Sequence, residues 1–283
     1  MNSKKLVTYI LCAFIPIIGI GVLMSCGSNV ILKSLLSLVA MLLPMIAVII
    51  TQTVNKEQIF HGLDISFKIN RWWVIGWLLM PVLAVAVLGM TLLMPGAVWS
   101  PDSEVVKAAL TSMPEGVGLG AIIVITLISG LFAGLTVNAV FAFGEEIGWR
   151  GYLLKIFKGK TFLSTALWTG IIWGLWHAPI ILNGHNYPQH PVAGVFMMVG
   201  MCVFLTPIFM YFRLKSGSVI VPAIMHGTFN GVVGLSMILV TPANDLLYGG
   251  PGLAGLITLL LLDICLYIYD RFISKENIFS SSI

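Results

Sequence analysis

A chain of 283 residues that is 58% apolar and only 9% charged cannot be a soluble domain, whose composition carries roughly 25% charged residues. The mean hydropathy of +1.01 points the same way. A net charge of +4 in such a chain is no nucleic-acid signal; the partner that the composition implies is the lipid bilayer, and the positive charges report sidedness.

A spanning helix needs ~20 mostly apolar residues, and eight stretches qualify: about 6–24, 31–54, 73–94, 121–149, 162–182, 192–212, 219–240 and 253–272. The first follows Lys4-Lys5 and ends at Leu23-Met24-Ser25-Cys26-Gly27, which loosely resembles a lipoprotein cleavage box. Methionine ahead of the small residue fits that box poorly, so the span is expected to be retained. The longest polar connections, 55–72 and 95–120, leave no room for a soluble domain. Residues 1–283 therefore read as a single integral membrane domain, all-α and polytopic, with its motif-bearing core at about 121–240. Cys12, Cys26, Cys202 and Cys265 form no Cys-x-x-Cys pair and read as small apolar packing residues.

With eight spans, thirteen of the fifteen Lys and Arg residues fall on the side that holds the N-terminus, Arg150 among them, and only Lys33 and Lys107 on the other. The positive-inside rule then predicts that both termini are cytoplasmic.

Ionisable side chains inside spans cost at least ~2.5–3.5 kcal/mol each and are functional candidates by default. They cluster in Gly144-Glu145-Glu146-Ile147-Gly148-Trp149-Arg150, in Trp173-Gly174-Leu175-Trp176-His177 and in His226-Gly227-Thr228-Phe229-Asn230. Glu146/Arg150, Trp173/His177 and His226/Asn230 are each four residues apart, one helical turn, so each pair shares a face. If the fourth span continues as helix to a Lys158 anchor, Glu145 lies 13 residues from it, or ~20 Å at about 1.5 Å per residue. His177 is then ~22 Å deep, His226 ~14 Å and Asn230 ~20 Å, a single slab. The run before Glu145 is too long for one straight span, and a bend is expected near Gly130 or Gly134. His61, His185 and His190 fall in connections and read as solvated, and Asp263 as a helix–helix contact.

Such a cluster can hydrolyse a peptide bond. Glu145 would act as general base, with His177 orienting the water, and His226 and Asn230 would hold the tetrahedral oxyanion. The same residues permit a metal version, with Glu145, His177 and His226 as ligands, an open position for water, and Glu146 or Asn230 in support. The spacing leaves both open, with either a divalent metal such as zinc or no cofactor at all. Glu146 and Arg150 also read as a fold-stabilising ion pair. No serine or cysteine stands in a comparable motif, which disfavours an acyl-enzyme route.

Glu145, Glu146 and Arg150 match a Glu-Glu-x-x-x-Arg motif, His177 a Phe-x-x-x-His motif with Trp173 in place of Phe, and His226 and Asn230 a His-x-x-x-Asn motif. In this order and on separate spans, they resemble the CAAX-prenyl protease type II family (CPBP, or Abi). The resemblance covers about residues 140–232 and implies an eight-helix intramembrane endopeptidase acting on membrane-associated or lipidated, CAAX-like peptides in a bacterial or archaeal plasma membrane. It implies Glu145 and His177 as the water-activating pair and His226 and Asn230 as oxyanion stabilisers. Family members are commonly labelled metalloproteases, although a glutamate-activated water without metal is also proposed, and many bacterial members are tied to bacteriocin immunity. Trp173 keeps an aromatic and alters the wall beside His177, not the chemistry. Two other classes fit the buried Glu and His residues: a proton-coupled transporter, though no internal repeat is visible, and a catalytically idle immunity protein.

Overall fold

The computed structural model describes residues 3–27, 29–100, 104–111 and 118–283. Among them the fold is almost entirely helical. In chain order come α1 (Ser3–Ser25), α2 (Val30–Ala40), α3 (Leu43–Val54), α4 (Arg71–Leu92), α5 (Glu104–Thr111), α6 (Leu119–Leu135), α7 (Val137–Glu146), α8 (Leu153–Ile156), α9 (Phe162–Trp176), α10 (Ala178–Ile181), α11 (Pro191–Ser216), α12 (Ile220–Val232), α13 (Leu235–Leu239) and α14 (Leu253–Ile268). A π-helical turn, Ile147–Tyr152, joins α7 to α8, and another, Tyr269–Ser274, extends α14. Two residues each of β1 (Val98–Trp99) and β2 (Val240–Thr241) pair antiparallel.

Helix ends are set by local chemistry. Asn29, Asn70 and Thr161 accept hydrogen bonds from the first-turn amides of α2, α4 and α9. Gly217, at φ +68°, stops α11 in the left-handed conformation that glycine adopts without strain. The helices are apolar on both faces, as lipid requires. On α1, Tyr9, Ala13 and Ile17 are fully buried, while Val7, Leu11, Ile15 and Ile18 are more than half exposed.

Among the described residues, six helical stretches are long and apolar enough to cross a membrane, and α6 with α7–α8, bent by 55°, passes the same test only as a pair, which would make seven if the pair is one span. The expected fifth span is split: α9 has 15 residues and stops at Trp176, and one turn of α10 follows. Its two ends still lie at opposite ends of the bundle. Phe162 bonds to the Ser281 carbonyl, whereas Asn183 bonds to the Gly21 carbonyl at the far end of α1. Helices α9 and α10 together thus join the two ends of the bundle, although they are not among the six or seven stretches of the described residues that are long and apolar enough to cross, where the sequence predicts eight. The bend before Glu145, expected near Gly130 or Gly134, falls at Thr136, two residues beyond Gly134 and so within the expected region. Those two glycines serve packing: a Cβ on Gly134 would lie 2.6 Å from the Thr228 Cα and one on Gly130 2.9 Å from the Gly231 carbonyl, so α6 and α12 touch backbone to backbone.

One end of the bundle gathers Glu57 with Lys5 and Lys155, Asp64 with Arg213 and Glu276 with Lys215. It also holds the C-terminal residues against Gly159–Phe162. The other end carries the β1–β2 pair, Asp245 bonded to Gln189 and His190, and the Tyr187 hydroxyl donating to the Pro251 carbonyl.

Candidate active site

Glu145 and Glu146 are the last two residues of α7, both buried. The π-helical turn that follows bonds the Leu153 amide to the Gly148 carbonyl, five residues back. Such turns concentrate at functional sites. Here it carries Trp149 and Arg150, and all four side chains converge inside the bundle.

The neighbouring glutamates have different partners. Glu145 places Oε2 between two indoles: Trp173 Nε1 donates at 2.7 Å and Trp149 Nε1 at 3.2 Å. Glu146 Oε1 accepts from Arg150 Nη1 at 3.0 Å and stands 2.8 Å from His226 Nδ1. Arg150 Nη2 also donates to Thr206 Oγ1 at 3.0 Å, and its guanidinium carbon lies 4.3 Å from the centre of the Trp173 ring and 5.0 Å from that of Phe209. Arg150 was counted with the cytoplasmic cations by sequence. It is instead fully buried, because the helix runs on past it to Lys155, whose ammonium reaches Glu57.

Close helix approach brings these groups together. A Cβ on Gly227 would lie 2.7 Å from the Ala139 amide nitrogen, so α12 presses on α7 next to His226. Asn138 Nδ2 donates to the Gly227 carbonyl at 3.0 Å and fixes the register. Gly170 and Gly174 let α9 meet the backbone of α11 at Val203 and Val199, which sets Trp173 beside the helix that carries Thr206.

His177 sits where α9 ends, with Pro179 in the first turn of α10. Its Nδ1 lies 2.9 Å from the Trp173 carbonyl. A carbonyl can only accept, so Nδ1 carries the proton and Nε2 of the neutral ring is a base. Likewise, the Glu146 carboxylate faces His226 Nδ1 and leaves Nε2 as the second polar atom of that ring.

A cavity of about 640 Å³ joins the site. Glu145, His177, His226, Asn230, Trp173 and Trp176 line it, so the residues expected from three separate motifs share one space. His185 joins them, contrary to its expected place in solvent. Burial first, and then the neighbouring His177, hold its ring down at about 4, against the pull of Glu145. No motif marked it; the only sequence signal was the polar turn Asn183-Gly184-His185-Asn186 directly after the second cluster. Thr206 was also missed, being a small hydroxyl in a largely apolar span. His61 and His190 are exposed, His190 against Asp245.

Among the described residues, no three His, Cys, Asp or Glu side chains come together as a metal-binding set, the trio Glu145, His177 and His226 included. No step below is routed through a metal.

Comparison with known proteins converges on the same segment. The family model for type II CAAX prenyl endopeptidases, Rce1-like, matches residues 123–232, which contain every residue of the three motifs. A protein named CAAX prenyl protease 2 from Methanococcus maripaludis is 32% identical over 63 residues, a match that spans 22% of this chain and 23% of that protein. The resemblance to the type II CAAX prenyl protease family is thus shown over the motif-bearing segment.

Proposed function

We propose that this integral membrane protein is an endopeptidase that hydrolyses peptide bonds of membrane-associated or lipidated peptides with a water activated by Glu145 and His177. The observation that carries the reading is the state of Glu145: a buried carboxylate on a cavity, with one oxygen fixed by two indole donors. An acceptor held this way takes a proton without having to reorganise.

In the proposed cycle, the peptide lies in the cavity with its scissile carbonyl between Glu145 and α12. A water held by Glu145 and His177 Nε2 attacks the carbonyl carbon and gives its proton to Glu145. The carbonyl oxygen becomes an oxyanion, stabilised by Asn230 Nδ2 and by His226 Nε2–H. For that donation His226 carries protons on both ring nitrogens, with Glu146, which also accepts from Arg150, as counter-ion. The intermediate collapses as the C–N bond breaks and Glu145 returns the proton to the leaving amine. Glu146, Arg150 and Trp173 act through other residues: the first two hold His226, and the third holds Glu145.

The test is a fluorogenic peptide presented to purified protein in liposomes. Cleavage by the parent that is lost in Glu145→Gln and His177→Ala supports the reading. Equal cleavage by parent and Glu145→Gln would sink it, and a solute or proton flux that persists with no cleavage would favour transport.

A further inference from the structure

We infer that the catalytic cavity is loaded from the non-cytoplasmic side of the membrane, so that its substrate is a polypeptide presented at the outer face, exported or anchored there. This rests on the reading that the cavity is the active site, and it names the side from which that site is served.

The lining of the cavity reaches one end of the bundle, which we take as its mouth. Met24 comes from the last turn of α1, Lys33 and Ser34 from the first turns of α2, Asn186 from the connection after α10, and Pro251 from the residues just before α14. All of these positions belong to the end at which Asn183 is tied to Gly21 and Tyr187 to Pro251.

The opposite direction is closed among the described residues. Below Glu145 the layer of Glu146, Arg150, Thr206 and Phe209 is fully buried, and Tyr152, Leu153 and Phe212 beneath it are at most 1% exposed. Beyond that layer come the ion pairs of Glu57, Asp64 and Glu276.

With Arg150 placed in the interior, twelve of the remaining fourteen Lys and Arg residues stand at the closed end, and only Lys33 and Lys107 stand at the mouth end. Every connection is short, the regime in which Lys and Arg set orientation while Asp and Glu contribute little. The closed end is therefore cytoplasmic and the mouth faces out. A lipidated C-terminus displayed in the cytoplasmic leaflet would meet the closed end, whereas a chain emerging from export would meet the cavity. The reaction class that supplies the substrate is thus translocation across, or anchoring at, the outer face.

The experiment uses the full chain with Cys12, Cys26 and Cys265 replaced by alanine and Cys202, fully buried, retained. One cysteine is then added, as Ser34→Cys at the mouth or Lys158→Cys at the closed end. Intact cells receive a charged, membrane-impermeant thiol reagent, and the mass shift is read. Labelling of Ser34→Cys from outside, with Lys158→Cys labelled only after permeabilisation, is expected; the reverse pattern overturns the inference. In parallel, right-side-out and inverted vesicles receive an impermeant fluorogenic peptide. Cleavage several-fold faster in right-side-out vesicles is expected, and faster cleavage in inverted vesicles overturns the inference. Absence of cleavage in every preparation, detergent included, defeats the peptidase reading instead, while the labelling pattern still decides the side.

Discussion

Glu145 and Glu146 are adjacent in the chain and both buried, yet one is surrounded by neutral donors and the other by cations. Around Glu145 stand Trp149, Trp173 and the cavity, and no basic side chain bonds to it among the described residues. Around Glu146 stand Arg150 and His226, with Thr206 and Phe209 completing the shell. A carboxylate held by indoles keeps its negative charge available to a proton; one paired with a guanidinium has its charge already matched. The same residue type is therefore suited to chemistry at one position and to holding other groups at the next.

The comparison is broken most directly at Glu145. Glu145→Gln keeps shape and burial, and cleavage should fall by about 10²–10⁴, the usual cost of losing a general base, with the melting temperature in detergent unchanged. If melting fell as far as activity, Glu145 would belong with its neighbour. At Glu146 the order reverses. Arg150→Ala strands a buried carboxylate and should destabilise the fold by roughly 3–5 kcal/mol, seen as a lower melting temperature. The double change Glu146→Gln with Arg150→Met removes both charges of the pair and should regain part of that loss while staying inactive, because His226 no longer has a carboxylate to hold its second proton. A double variant that melts below both single variants would mean the two are not a pair.

A subtler probe is Trp173→Phe, which installs the aromatic of the related motif and deletes the shorter of the two indole bonds to Glu145. Hydrogen bonds to charged groups contribute about 1.5–3 kcal/mol, and with Trp149 still in place a drop of about tenfold in kcat is expected. KM should stay near the parent's value; a rise in KM alone would make Trp173 a wall of the cavity. The smallest effect concerns the closed end. Glu57 is partly buried, which alone would raise its pKa, but hydrogen bonds from Lys155 and Lys5 bring its carboxyl down to about 2. Its stabilising contribution is complete above the ordinary carboxylate value of 4.5 and is lost as pH falls toward 2. Melting between those pH values should be less pH-dependent in Glu57→Gln than in the parent.

Much of this was legible in the chain. Long apolar runs foretold an all-α, polytopic membrane protein, of whose eight expected spans six or seven are long and apolar enough among the described residues, and one-turn spacings singled out residues that line the cavity. What was missed depends on packing between distant segments. Gly130 and Gly134, next to which the bend at Thr136 falls as expected, also serve close contact with α12, which no local pattern announces. His185 reaches the cavity because the chain turns at His177 and Pro179, a geometry that no pattern of hydrophobicity encodes. Trp173 was read as an aromatic wall, and its indole N–H became informative only once α9 stood beside α7. Arg150 counted among the cytoplasmic-side cations because it stands at the end of the fourth apolar run; the π-helical turn and Thr206 hold it inside instead.

The balance between Arg150 and His226 on one hand and the two glutamates on the other has an electrical consequence. In the proposed resting state, two buried anions face two buried cations, and each chemical step moves a proton only between neighbouring atoms of that group. Carrying a unit charge fully across a membrane costs about 2.3 kcal/mol per 100 mV, but a proton confined to the site crosses only a small fraction of that field. Turnover in sealed vesicles should therefore be the same with and without an imposed potassium diffusion potential. A device that drew its work from the membrane potential could not share that indifference, so a voltage-dependent rate would point to charge crossing the whole bilayer.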